Sequence, residues 1–85
     1  MEVPNKKLNK AIMEIVDNQL KDNTPPETKK TYKRLLRKGF SDTEARELIG
    51  IVVSGEILEV LKEGREFDHK GFAAALRRLP KLPWE

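Results

Sequence analysis

Apolar residues recur along this chain at helical spacing. Leu8, Ala11, Ile12, Ile15 and Val16 fall at i, i+3, i+4, i+7 and i+8, which predicts an amphipathic helix from Asn5 or Lys6 to about Leu20. A second helix, Pro25 to Lys38, carries a narrow stripe of Tyr32, Leu35 and Leu36. A third, Asp42 to Glu63, is about 33 Å long at 1.5 Å per residue and holds most of the apolar residues. The fourth, His69 to Leu79, sets Phe72, Ala75, Leu76 and Leu79 on one face before Pro80 stops it. Residues 5–80 therefore read as one all-α, four-helix domain around a long central third helix. Residues 81–85 read as a tail, with Leu82 and Trp84 folding back onto the core.

The boundaries between helices are written in capping residues. Thr24-Pro25-Pro26-Glu27 and Ser41-Asp42-Thr43-Glu44 both have the spacing of a capping box. Gly39 suits a left-handed helix stop, and Phe40 suits a hydrophobic staple onto Ala45. Asp68 is the N-cap of the fourth helix, with Phe67 stapling onto Phe72. Within the third helix, residues placed at 100° intervals keep Ala45, Leu48, Ile49, Val52 and Val53 on one face. The apolar face then turns by roughly 130° to Ile57, Leu58, Val60 and Leu61, so the two ends should meet different partners. Gly50 and Gly55 each cost about 1 kcal/mol against alanine, which points to close helix approach or a kink. A strand over Ile49 to Ser54 has nothing else in the chain to pair with.

Composition narrows the function classes. The chain has 85 residues, no cysteine and one histidine, so disulfides, thiolate catalysis and cysteine-ligated zinc are excluded. The start of the chain lacks a charged-then-apolar leader pattern and no apolar run approaches the ~18 residues of a membrane span, so a cytoplasmic location away from membranes is expected. No cofactor is expected, because neither a glycine-rich phosphate loop nor a nucleophile elbow is present. His69, with Asp68 and Glu66 nearby, is ordinary for the first turn of a helix. Glu56, Glu59 and Glu63 form a carboxylate row, but a bundle metal centre also needs paired Glu-x-x-His motifs, which one histidine cannot supply.

Charge is unevenly placed. Between residues 24 and 40, Lys29, Lys30, Lys33, Arg34, Arg37 and Lys38 face the single acid Glu27, a balance of +5. Between residues 41 and 64, six acids against Arg46 and Lys62 leave −4. The six cations sweep about 180° of the second helix opposite its apolar stripe, a surface suited to phosphates or to an acidic protein. That helix offers no Asn or Gln for reading bases. The leading expectation is a non-enzymatic protein-interaction module, with an unidentified protein partner or a weak homodimer. A nucleic-acid accessory domain using Lys29, Lys30, Lys33, Arg34 and Arg37 is the alternative. Glu56, Glu59 and Glu63 are the candidate acidic face.

The order Pro25-Pro26-Glu27, Leu36, Gly39-Phe40-Ser41, Glu44-Ala45, Glu56-Ile57, Gly64-Arg65, Phe67-Asp68, Phe72, Leu76 and Leu79-Pro80 resembles a family of small bacterial all-helical proteins, a domain of unknown function. The resemblance spans roughly residues 24–80. It implies a cytoplasmic prokaryotic protein with an all-α fold and transfers no catalytic residue. Gly50 and Gly55 depart from the helix formers such a family would use there.

Overall fold

The computed structural model describes residues 6–85, with side chains from Asn9 onward; the expected helix start at Asn5 and the Leu8 side chain lie outside the described residues. Four helices follow in order: α1 Lys6–Asp22, α2 Pro26–Arg37, α3 Asp42–Glu63 and α4 His69–Arg78. No strand occurs among the described residues. α3 is the hub. It packs against α1, α2 and α4, while α2 also touches α1 and α4. The radius of gyration, 12.2 Å, is that of a folded chain of this length.

Local chemistry places most of the corners. Gly39 is left-handed at φ 102°, where a Cβ would be strained, and it lets α2 turn directly into α3. The Ser41 hydroxyl then accepts from the Glu44 N–H at 3.1 Å while the Glu44 carboxylate accepts from the Ser41 N–H at 2.9 Å, a complete capping box. At α4, the Asp68 carboxylate accepts from the Gly71 N–H at 3.0 Å. The Phe67 and Phe72 rings meet edge to face with centroids 5.2 Å apart, as the staple requires.

α2 and α4 end one residue earlier than the sequence reading, at Arg37 and Arg78, and two other boundaries differ from it. α1 runs two residues beyond Leu20 and closes with Asn23 in the left-handed region at φ 54°, a conformation asparagine tolerates. α2 begins at Pro26, with Pro25 as an N-cap that has no side-chain hydrogen bond. The Thr24 hydroxyl is turned to the Asp22 carbonyl at 3.1 Å instead of to Glu27.

The core is built on the first half of α3. Ala45, Ile49, Val52 and Val53 are buried with Ile12 and Val16 of α1, Leu35 of α2, and Phe72, Leu76 and Leu79. Gly50 is buried under α1: a Cβ added there would stand 3.4 Å from Met13 Sδ and 3.5 Å from Ile12 Cγ2. The close approach expected from that glycine is thus real, and a methyl group just fits. Gly55 has nothing within 4 Å of the corresponding position.

The buried stripe of α2 is Thr28, Thr31 and Leu35, with Tyr32 half-buried and Leu36 exposed. Two threonines are buried there, Thr28 fully and Thr31 almost so. The Thr28 hydroxyl is satisfied by the Gln19 side-chain oxygen at 2.9 Å, which ties α2 to α1. In the second half of α3 the expectation fails more sharply. Ile57 packs on the core, but Leu58 and Leu61 are 58% and 74% exposed. The reason is the side of the helix: Leu58 lies opposite Ala45, Ile49 and Val52, and α1, α2 and α4 leave that side, with Leu61 beside it, uncovered. In the tail Leu82 packs on the core, whereas Trp84 stays outside, 56% exposed.

Val52→Asp should unfold the chain, because an unpaired buried carboxylate costs several kcal/mol against a total of about 5 to 10. Leu61→Gln should leave the melting temperature of dilute protein within a few degrees of the parent. Circular-dichroism melts of the two variants test the inward and outward assignments together.

Candidate functional site

Two surfaces carry the residues singled out by charge and apolar pattern. The first is an open cleft of about 590 Å³ between α2 and α4, lined by Glu27, Lys30, Thr31, Arg34, Arg37 and Arg77. Lys29 and Lys33 are exposed on α2 but do not line it. Arg34 is not a free surface cation. Its Nη1 donates to the Leu79 carbonyl at 2.7 Å and its Nη2 to the Leu76 carbonyl at 2.9 Å. These oxygens belong to the last turn and cap of α4, where the helix leaves carbonyls unpaired and a cation opposes the negative end of the dipole. Arg34 therefore docks α4 onto α2. Arg77, from α4, joins the cleft although α2 alone suggested the basic face; the pairing of helices, not the α2 wheel, brings it there.

The acidic row is divided in the same way. Glu56 is almost covered, its side chain 10% exposed. Its Oε1 accepts from Arg65 Nη1 at 2.9 Å and from the Asp68 backbone N–H at 2.9 Å. It thus pins the loop that leads into α4. Glu59 and Glu63 remain exposed. Among the described residues no ion pair joins α2 to this row; the three present are Arg46–Asp17, Arg46–Asp42 and Arg65–Glu56. Likewise no group of three or more histidine and carboxylate side chains is arranged to hold a metal ion among the described residues. His69 is exposed with its ring edge-on to Phe67 at 4.7 Å.

A polar cluster at the α2–α3 corner links three helices. The Tyr32 hydroxyl donates to Asp42, which also accepts from Arg46 Nε at 2.8 Å, and Arg46 reaches Asp17 of α1. The Arg46 guanidinium lies 5.6 Å from the centre of the Tyr32 ring. The Tyr32 hydrogen bond, with Arg46 second, holds the Asp42 carboxyl below the usual range. The same bond raises the Tyr32 phenol. Glu44 is lowered by the Ser41 backbone N–H that it accepts.

The second surface is the outward side of α3. Leu58 and Leu61 stand there one turn apart, with Ile51 and Ser54 half-buried on the same side. Beside it a groove of about 220 Å³ runs between α3 and α4, lined mainly by Val52, Gly55, Phe72, Ala75 and Pro83. No helix among the described residues is long and apolar enough to cross a membrane. No protein-family model, curated protein or solved structure matches the chain. What the molecule does must be read from these two surfaces.

Arg34→Met should lower stability by about 2 kcal/mol, the usual worth of hydrogen bonds from a charged donor. Lys33→Met should change it by less than about 0.5 kcal/mol. Urea titration of both variants separates a docking arginine from a solvated cation. The depressed Asp42 and Glu44 contribute stability that is present above about pH 4 and lost as pH falls through their folded values. The raised Tyr32 contributes below about pH 10 and loses its share as pH rises through its folded value. Melting temperature against pH should therefore fall at both ends, with Asp42→Asn flattening the acid limb and Tyr32→Phe the alkaline one.

Proposed function

We propose that the protein is a small, non-enzymatic, cytoplasmic helical module that binds another protein through the outward face of α3. The observation that carries this reading is the pair Leu58 and Leu61, 58% and 74% exposed and one turn apart on a helix whose opposite face is core. Single exposed leucines are ordinary on protein surfaces. Two neighbouring ones, with Ile51 two turns away on the same side, make an apolar ridge of the kind that helix-in-groove or helix-pair recognition uses. A composition with one histidine and no cysteine supports a binding role over catalysis.

The cleft between α2 and α4 favours a second reading, a nucleic-acid accessory domain that holds phosphates with Lys30, Arg37 and Arg77, and with Lys29 and Lys33 beside them. Arg34 is already committed to α4, which leaves that surface weaker than the α2 sequence suggests. Binding to generic DNA or RNA that falls steeply between about 50 and 200 mM salt would favour it over the protein-binding reading.

A photo-crosslinking residue placed at Leu58 should capture a discrete partner in cells, whereas the same residue at the exposed Lys21 of α1 should not. Equal capture from both positions, or none from Leu58, contradicts the protein-binding reading.

A further inference from the structure

We propose that the partner of the α3 ridge is a second copy of this chain, held in an antiparallel α3–α3 pair whose two-fold axis passes between Ser54 and Gly55. The inference rests on the protein-binding reading above and names its occupant. Placed at 100° intervals, Ser54, Glu47, Leu58, Ile51 and Lys62 share the outward arc of α3, with Leu61 and Gly55 at its margins, about 120° in all. That arc lies opposite Ala45, Ile49 and Val52, which are buried.

A two-fold contact is self-complementary: each residue must find, on an identical copy, a residue it suits. The register centred between Ser54 and Gly55 meets that demand along the middle of the arc, from Glu47 to Lys62. Leu58 stands opposite the partner's Ile51, and Ile51 opposite the partner's Leu58. At the crossing point Ser54 faces the partner's Gly55, the two smallest side chains of the arc, so the helix axes can approach closely. One turn beyond Leu58, Lys62 faces the partner's Glu47. Both are exposed, and neither takes part in the ion pairs found among the described residues. The contact repeats by symmetry, giving two apolar layers and two opposite-charge pairs around one small-residue crossing.

Gly55 supplies an independent reason. A glycine inside a helix costs about 1 kcal/mol against alanine, and within one chain nothing at this position requires its absence of a side chain: a Cβ would have open space for 4 Å. Gly50, by contrast, lies under α1. The crossing of a second α3 gives Gly55 the close neighbour that the single chain lacks. Glu59 and Glu63 lie off the arc and Glu56 is held by Arg65, so the dimer is an apolar helix pair trimmed by charge and not a contact between the acidic row and the basic helix.

Sedimentation equilibrium of the full chain over about 10 µM to about 1 mM should show the mass rising from 9.8 kDa toward twice that value, with the apolar layers keeping the dimer at high salt. Leu58→Asn should weaken the dimer about tenfold or more while dilute protein melts as the parent does. Gly55→Gln should weaken it too, yet raise the melting temperature of the dilute monomer, a pairing of effects that misfolding cannot produce. Glu47→Lys should weaken association, and adding Lys62→Glu to it should restore association. Because the chain has no cysteine, Ser54→Cys should give a disulfide-linked dimer on oxidation and Lys21→Cys should not.

A monomer at every concentration, a dimer indifferent to Leu58→Asn, or no rescue by the charge exchange overturns the proposal. So does a lower melting temperature of dilute Leu58→Asn, which would mean that the ridge is covered within one chain. A monomer that still crosslinks from Leu58 to a different protein defeats the self-pairing alone. A monomer with no crosslink from Leu58 defeats the protein-binding reading as well.

Discussion

The close approach of α1 to α3 at Gly50 is the constraint from which the remaining geometry follows. With only a hydrogen at that position, Met13 and Ile12 settle onto the α3 backbone, and Ile12 and Val16 are buried beside Ile49 and Val53. A long side chain at Gly50 would prise the helices apart and open that layer. Once α1 is seated, Arg46 of α3 reaches Asp17 of α1, while Thr28 of α2 meets Gln19. The Gly39 turn and the Ser41 capping box then fix where α2 lies, and Arg34 carries α4 to its place by binding the carbonyls at its end.

Packing on one side of α3 leaves its other side with a surface to spare. In 85 residues there is material for one well-covered face of a 22-residue helix and not for two. Leu58 and Leu61 are left outside because α1, α2 and α4 are all used on the core side of α3. The same economy explains the charged residues that are least like surface charges. Arg34 and Glu56 act on backbone groups, one on the carbonyls closing α4 and the other on the N–H of Asp68 that opens it. The two ends of the shortest helix are thus held by one basic and one acidic side chain from its neighbours.

Features governed by a few adjacent residues were legible in the sequence: the Ser41–Glu44 box, the Gly39 stop, the Asp68 cap and the Phe67–Phe72 contact all depend on local spacing. Thr24 shows the limit of that logic, since a capping-box pattern does not decide which way the hydroxyl turns. Thr28 and Thr31 were hidden because a threonine counted as polar can bury its methyl once its hydroxyl has a partner, and Gln19 lies in a different helix. Leu61 was misplaced for the opposite reason. Hydrophobicity identifies residues that gain by burial, but only the lengths and positions of the other helices decide whether anything is there to bury them. Arg34 and Glu56 read correctly as charges, while their roles depended on which helix ends would come within reach.

Native-state amide hydrogen exchange along α3, in protein dilute enough to be monomeric, tests this account most directly. The slowest amides should lie between Ile49 and Val53 and open only with global unfolding. Those from Leu58 to Glu63 should exchange through local opening at clearly lower free energy. Protection in the last two turns equal to that at Val52 would contradict the account, because it would mean that the outer half of α3 is held as firmly as the half seated against α1.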